Sequence, residues 1–337
     1  MSVSMKIFAP LFFGALASLL IGMHVGHASP MQADRPIVIP PERAGIKGIV
    51  GHWWYADRYG PRLLDEYAAL GATNVRLAID WLHIEAVEGD RRFEKLDPIF
   101  FGLRDRGIDV IPVMATMPPW ATWNGAECFD NHLKCRLNHD SVEAFQLTVG
   151  ALARRYDHIN KWEFWNEPEM WEGMRDPSEY EFWYRAFYAA IKEANPNARV
   201  AIGTLTGWDF AGQLSFDVPY DAISVHSYGT EKGDAIETTK LSRLYAGTRS
   251  RGRDVPIWLT EYGWNSNWLD SRGIADALDW TFRWLLDQPY IEFAHYHMLH
   301  DTQEYWECCF GLLGPPPNFT PKQPAWDRFR SYPVLGR

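Results

Sequence analysis

Eight short apolar runs, most of them followed by a helical stretch, predict a single (β/α)8 barrel, the TIM-barrel class. Two further observations support it. The runs are nearly continuous in hydrophobic residues, as parallel strands covered on both faces must be. No linker, low-complexity segment or short repeat divides the 337 residues. A doubly wound open sheet is the competing architecture, but the glycine-rich turn expected after its first strand is missing.

The chain opens with Lys6 and an apolar run over residues 7–25, closed by Gly26 and Ala28 around His27. This is the form of a secretory signal peptide, residues 1–28, cleaved after Ala28. The run is nearly long enough to span a bilayer, so an uncleaved N-terminal membrane anchor is the alternative. The protein is therefore expected to be exported, periplasmic or extracellular, with no stable membrane insertion once the signal is cleaved. A proline-rich extension occupies residues 29–45, and the barrel is expected to fill 46–337.

Within the barrel, strands are expected over 46–54, 74–81, 109–114, 161–166, 199–204, 222–226, 257–260 and 291–298. Helices are expected over 61–70, ended by Gly71, and 96–106, ended by Gly107. Further helices fall over 141–156, 177–194, 236–250 and 272–286. The apolar positions of the 141–156 segment, Phe145, Leu147, Val149, Leu152 and Ala153, fit a helical face better than alternation. The 177–194 segment is crowded with Phe182, Trp183, Tyr184, Phe187 and Tyr188.

Composition excludes some functions. A net charge of −10 argues against a nucleic-acid partner, which would need a basic patch. Seventeen tryptophans are many for this length and suit either core packing or flat platforms for sugar faces. In an oxidising compartment Cys128 and Cys135 are expected to close a small staple. The adjacent Cys308 and Cys309 could bridge each other, stay reduced, or pair with the other two. No tetrahedral Cys/His spacing for zinc appears, and no metal or cofactor is expected.

The chemistry concentrates in Trp165-Asn166-Glu167-Pro168. Proline cannot extend a central ladder, so the strand stops there and presents Asn166 and Glu167 at its carboxyl end. A second apolar run ends in Thr260-Glu261-Tyr262-Gly263. Barrel active sites lie at the carboxyl ends of the strands, which puts Glu167 and Glu261 on one rim. Two such carboxylates are what glycoside hydrolysis requires. Alternation puts Glu163 on the same face as Glu167 but deeper, or paired with a basic neighbour, and leaves Glu169 in the following loop.

These residues resemble glycoside hydrolase clan A, the retaining barrel glycosidases. The resemblance rests on the two glutamate motifs, on His226-Ser227-Tyr228 and Arg76, and on Pro118-Pro119-Trp120-Ala121, and spans residues 46–298. It is most similar to family 39, with family 5 close behind. It implies an O-glycosyl hydrolase working by a two-glutamate double displacement. Glu167 is then the acid/base, Glu261 the nucleophile, and Asn166 the partner of the sugar 2-hydroxyl. The physical reading agrees: a guanidinium and a phenol, Arg76 and Tyr228, would keep a nucleophile ionised. An acid must hold its proton near neutrality, which partial burial among Trp162 and Trp165 favours. His226, Trp120 and Trp264 are candidate sugar contacts. The eighth strand lacks the tryptophan that floors the sugar site in the clan, so Tyr296, His297 or Trp306 would have to substitute.

Each residue also has a plainer reading. Arg76 could pair with Asp80 in the core, His226 could be a hydrogen-bonded core histidine, and Trp120 and Trp264 could be packing. A metal-dependent hydrolase using His52, His295, His297 and Asp301, and an inactive saccharide-binding barrel, are the competing functions. The expected partner is a poly- or oligosaccharide alone, met by a monomer. Aromatic loops at 120–123, 208–210 and 264–268 could line an extended cleft for a polymer or wall off a pocket, and endo action on a neutral or weakly charged polysaccharide is expected.

Overall fold

In this computed structural model the described residues are 36–52, 56–203, 216–229, 238–302 and 308–337. Eight parallel strands close a barrel in sequence order: β1 (Gly48–His52), β2 (Asn74–Asp80), β3 (Asp109–Ala115), β4 (Lys161–Phe164), β5 (Arg199–Ile202), β6 (Ala222–His226), β7 (Ile257–Tyr262) and β8 (Ile291–Tyr296). Closure comes from β1 on β8, with Gly48 opposite His295. The chain therefore has the (β/α)8 fold that its strand pattern predicts. The expected signal peptide, Trp54, residues 208–210 and Trp306 lie outside the described residues.

Helices surround the barrel: α1 (Ala56–Leu70), the one-turn α2 (Trp81–Ile84), α3 (Asp97–Asp105), the short α4 (Gly125–Asp130), α5 (Val142–Arg155), α6 (Pro177–Ala194), α7 (Thr238–Ser250), α8 (Ser271–Leu286) and α9 (Ala325–Arg330). Their apolar stripes explain why they pack. On α6, Tyr180, Trp183, Tyr184, Phe187 and Ile191 recur every three or four residues and are all buried. Phe145 of α5 meets Trp183 edge-on at 5.5 Å, and Phe164 of β4 lies 5.2 Å from Phe187. Asp176 caps α6 by accepting from the Ser178 N–H at 2.9 Å.

Several strands are shorter than their hydrophobic runs. β4 stops at Phe164 rather than Asn166, and β8 at Tyr296 rather than Met298. Beyond these ends Trp165 and Met298 are still buried, so the apolar runs outlast the regular strands. The region before the barrel adds a 3-10 turn, Pro41–Ile46, whose Arg43 donates to the Leu285 carbonyl at 2.7 Å. Among the described residues no helix is long and apolar enough to cross a membrane.

The core has two parts. Between barrel and helices lies a large layer that includes Trp81, Trp162, Trp165, Trp183 and Trp264, all fully buried. Inside the barrel, Ile111, Ala201, Ala222, Trp258 and Phe293 form a separate plug. Gly203 at the end of β5 fits because a Cβ there would lie 2.0 Å from the Phe164 carbonyl oxygen.

Candidate active site

Alternation along β4 turns Trp162 and Phe164 into the helix layer and Glu163 into the barrel. Past Phe164 the backbone twists. Trp165 and Glu167 both adopt left-handed conformations, φ 64° and 46°. A non-glycine residue resists this by roughly 1–2 kcal/mol, so surrounding contacts must impose it. The Trp165 N–H donates to the Met114 carbonyl of β3 at 2.9 Å, and its ring meets Trp171 edge-on at 5.4 Å. Pro168 then begins a single 3-10 turn, Pro168–Met170. The outcome is a carboxylate lifted off the strand end, its side chain 26% exposed.

Glu261 arrives differently. It is still within β7, its side chain only 9% exposed, and faces His226 of β6 across a register shift between Val225 and His226. That irregularity brings a β6 imidazole beside a β7 carboxylate. His226 Nδ1 lies 2.8 Å from Glu167 Oε1 and 3.4 Å from Glu261 Oε2. One carboxylate oxygen from each glutamate and that imidazole nitrogen all fall within 4.8 Å of one another.

Arg76 of β2 ties the group together. Its Nε donates to Glu163 at 2.6 Å, one terminal nitrogen to Glu261 Oε1 at 2.6 Å, and the other to Asn166 Oδ1 at 2.8 Å. Three donors of one planar fork thus reach β4, β7 and the segment after β4. The Tyr228 hydroxyl donates to Glu261 Oε2. His297, just past β8, places Nδ1 3.5 Å from the same oxygen, and Phe310 packs edge-on against both Tyr228 and His297 at 5.4 Å.

Electrostatics follow from these contacts. Burial disfavours the Glu261 charge, but His226, His297, Arg76 and the Tyr228 hydroxyl outweigh it and hold the carboxyl well below the usual carboxylate range. Burial also depresses His297, so at neutral pH Arg76 is the permanent counter-charge. Burial works against the Arg76 charge in turn, and Glu163 and Glu261 more than compensate, keeping it protonated. Burial and the Glu261 charge push the Tyr228 phenol far up, so it remains a donor. His52 and His295, inside the barrel, are pushed down by burial, His295 to about 3.

The structure brings together most of the residues singled out by sequence: Glu167, Glu261, Asn166, Arg76, His226 and Tyr228 form one hydrogen-bonded constellation. Arg76 pairs with Glu163 and Glu261 rather than with Asp80, whose recorded ion pair is with His83. Others lie elsewhere. Trp264 is buried against Tyr262 and Tyr296, and Tyr296 is buried between Trp264 and Phe329. Both are packing residues, because alternation at the end of β8 sends 296 outward and 295 and 297 inward. Trp120 is half-buried, donating to the Glu85 carbonyl at 2.8 Å and meeting Trp81 edge-on. Of the two described stand-ins for the missing tryptophan, Tyr296 and His297, it is His297 that reaches Glu261; Trp306 lies outside the described residues. Phe310 carries no sequence signal; its place depends on a backbone contact with Met298 that only the fold creates.

Among the described residues, the group close enough to hold a cation is Glu167, His226 and Glu261. It is not the set His52, His295, His297 and Asp301. The Arg76 guanidinium on Glu261 opposes a second cation there.

A family model described as Cellulase (glycosyl hydrolase family 5) matches residues 37–297. Solved structures share the fold at low identity. A monomeric beta-xylosidase from Caulobacter crescentus CB15 is 17% identical with a TM-score of 0.65, covering 88% of this chain and 70% of that one. A family 39 glycoside hydrolase from Bacteroides cellulosilyticus WH2 is 20% identical, TM-score 0.65, covering 88% and 64%. A GH5_18 enzyme from Streptomyces cattleya, in complex with Manβ1-4GlcNAc, is 19% identical, TM-score 0.64, covering 88% and 79%.

Proposed function

The chain belongs to glycosyl hydrolase family 5, and from that premise we propose that it cleaves the O-glycosidic bonds of a poly- or oligosaccharide with retention at the anomeric carbon. The observation that carries this is the carboxylate spacing. Retaining enzymes hold the two groups about 5–5.5 Å apart, inverting ones about 6.5–9.5 Å to admit a water. One oxygen of Glu167 and one of Glu261 lie within 4.8 Å of each other, a close approach that favours the shorter of these separations.

Glu261 is the nucleophile, because its surroundings keep it ionised, and Glu167, more exposed and facing it across His226, takes the acid role that the family resemblance implies. In the first step a Glu261 oxygen bonds to the anomeric carbon while the bond to the leaving oxygen breaks. Glu167 gives that oxygen its proton. In the second step water bonds to the same carbon, its proton passes to Glu167, and the ester to Glu261 breaks. His226 can follow Glu167 through both states, accepting from the acid or donating to the carboxylate according to its tautomer. Asn166 has its oxygen committed to Arg76, so its NH₂ group is left to donate to a sugar hydroxyl.

We further propose endo action on a neutral or weakly charged polysaccharide, by a monomer exported through the leader at residues 1–28. The deciding experiment measures product stereochemistry by NMR on aryl glycosides and a polysaccharide panel, beside Glu167→Ala and Glu261→Ala. Retention, loss of turnover in both variants, and an azide-rescued glycosyl azide of inverted configuration in Glu261→Ala are expected. An inverted product from the native chain would overturn the assignment.

A further inference from the structure

Just before β1 the chain buries a charge that no carboxylate among the described residues answers. Lys47 stands between the Pro41–Ile46 turn and β1. Its backbone N–H donates to the Ala44 carbonyl at 3.1 Å, and its own carbonyl accepts from the Thr73 N–H at 3.0 Å. The residue is 2% exposed. Its ammonium donates to the carbonyls of Tyr332 and Arg330 and lies 5.9 Å from the centre of the Phe329 ring. Two carbonyls and a ring compensate a cation only in part. Burial with no opposing charge pushes the amine down to about 8. A lysine is rarely buried this deeply without a counter-ion.

The missing partner has a place to sit. Lys47 lines a cavity of about 310 Å³ together with Gly71, Tyr332 and three exposed arginines, Arg106, Arg330 and Arg337. Gly71 adopts φ 71°, and a Cβ there would lie 3.1 Å from Lys47 Nζ, so this side of the ammonium is bare of any side chain. Asp65 pairs with Arg106 at 2.7 Å, whereas Arg330 and Arg337 make no ion pair among the described residues. In a chain of net charge −10, the cavity thus gathers four cationic side chains against one aspartate. A neighbouring cavity that shares Ile108 shows the contrast. Its Arg104 is answered by Asp105 at 2.8 Å and its Lys161 by Asp109 at 3.2 Å.

We propose that the cavity beside Lys47 is an oxyanion site, taking a phosphate or sulfate group, free or carried on a small molecule. Arginine forks match the paired oxygens of such groups, and a buried ammonium gains most from an anion that shares its low-dielectric surroundings. The space admits both sources, since small-molecule pockets begin at about 300 Å³. Lys47 precedes β1, Gly71 precedes β2 and Ile108 precedes β3, so the site lies at the amino ends of the strands, away from the glutamate pair. Through Arg330 and Tyr332 it joins the last residues of the chain to the floor of the barrel.

The test is isothermal titration calorimetry of the full chain at pH 7 with inorganic phosphate, sulfate and glucose 6-phosphate. Ionic strength is held constant with sodium chloride, so that screening is equal throughout. At least one ligand should bind the native protein with a Kd below about 1 mM, and Arg330→Gln should weaken that binding about tenfold, the loss expected for one charge-assisted contact. Lys47→Met should weaken it at least as much. If that variant fails to fold, Arg330→Gln still decides, because it alters an exposed side chain. Tighter binding of glucose 6-phosphate than of inorganic phosphate assigns the site to a carried group, and equal binding assigns it to the free ion. Kd values above about 1 mM for all three ligands, or an affinity that Arg330→Gln leaves unchanged, overturn the proposal.

Discussion

Replacing Arg76 by methionine probes the network where fold and chemistry meet. The guanidinium is almost fully buried, and its removal leaves Glu163, with no exposed side-chain surface, and Glu261, at 9%, facing each other without their shared cation. Breaking a buried pair by deleting one partner costs about 3–5 kcal/mol, because a desolvated charge stays behind with no partner to compensate it. There is a ceiling: each orphaned carboxylate can take up a proton instead. For a carboxyl of ordinary pKa about 4.3 this costs about 1.36 × 2.7, or about 3.7 kcal/mol, at pH 7. Two carboxylates bound the loss at about 7 kcal/mol, and one alone gives about 4. The ceiling falls with pH, to about 1 kcal/mol per group at pH 5. The sign is definite. In the variant the native state binds protons that the unfolded chain does not, so its stability recovers as pH falls. Urea unfolding of both proteins at pH 7 and pH 5 measures this. A deficit of about 4–7 kcal/mol at pH 7 that shrinks at pH 5 is expected. A deficit below about 1 kcal/mol at pH 7, or one equal at both pH values, would refute the reasoning.

Three other outcomes follow from the same geometry. Tyr228→Phe deletes a donor to ionised Glu261; at about 1.5–3 kcal/mol for such a bond, the acid limb of kcat/KM on an aryl glycoside should move up by about one to two pH units, and a limb that stays put would count against Tyr228. His52, His295 and His297 are all depressed by burial, His295 to about 3, so the native state resists protons the unfolded chain accepts below pH 6.5. Stability is then full above pH 6.5 and is lost as pH falls toward 3, by about 1.4 kcal/mol per unit for each such histidine; calorimetry showing equal stability at pH 7 and pH 4.5 would contradict it. Cys128→Ser with Cys135→Ser opens a loop of sequence separation 7 and should cost about 2–3 kcal/mol in chemical unfolding, with an unchanged midpoint as the contrary result.

Much of this was legible in the chain, for reasons that differ by residue. The barrel was, because eight apolar runs with intervening helical spacing leave few alternatives. Glu163 was, because a two-residue period fixes its face and a buried acid requires a cation. Tyr296 was not, since its neighbours His295 and His297 are polar and a strand end gives no clear sign of which set faces inward. Trp264 misled for another reason: an aromatic beside a strand-end glutamate looks the same whether it lines a cleft or fills the layer behind it. The β6 register shift that sets His226 against Glu261 has no mark in the sequence, nor does the turn that brings Phe310 onto Tyr228.

Glu163 has a further consequence, which lies in time rather than in space. In the reaction proposed, Glu261 loses its negative charge when it becomes an ester and regains it when water releases the sugar. A buried guanidinium opposed by Glu261 alone would be stranded without a counterion for the whole life of that intermediate. Glu163, bonded at 2.6 Å and untouched by the chemistry, keeps Arg76 neutralised in both halves of the cycle. The interior thus has a standing charge reserve, and the barrel need not reorganise each time the nucleophile discharges.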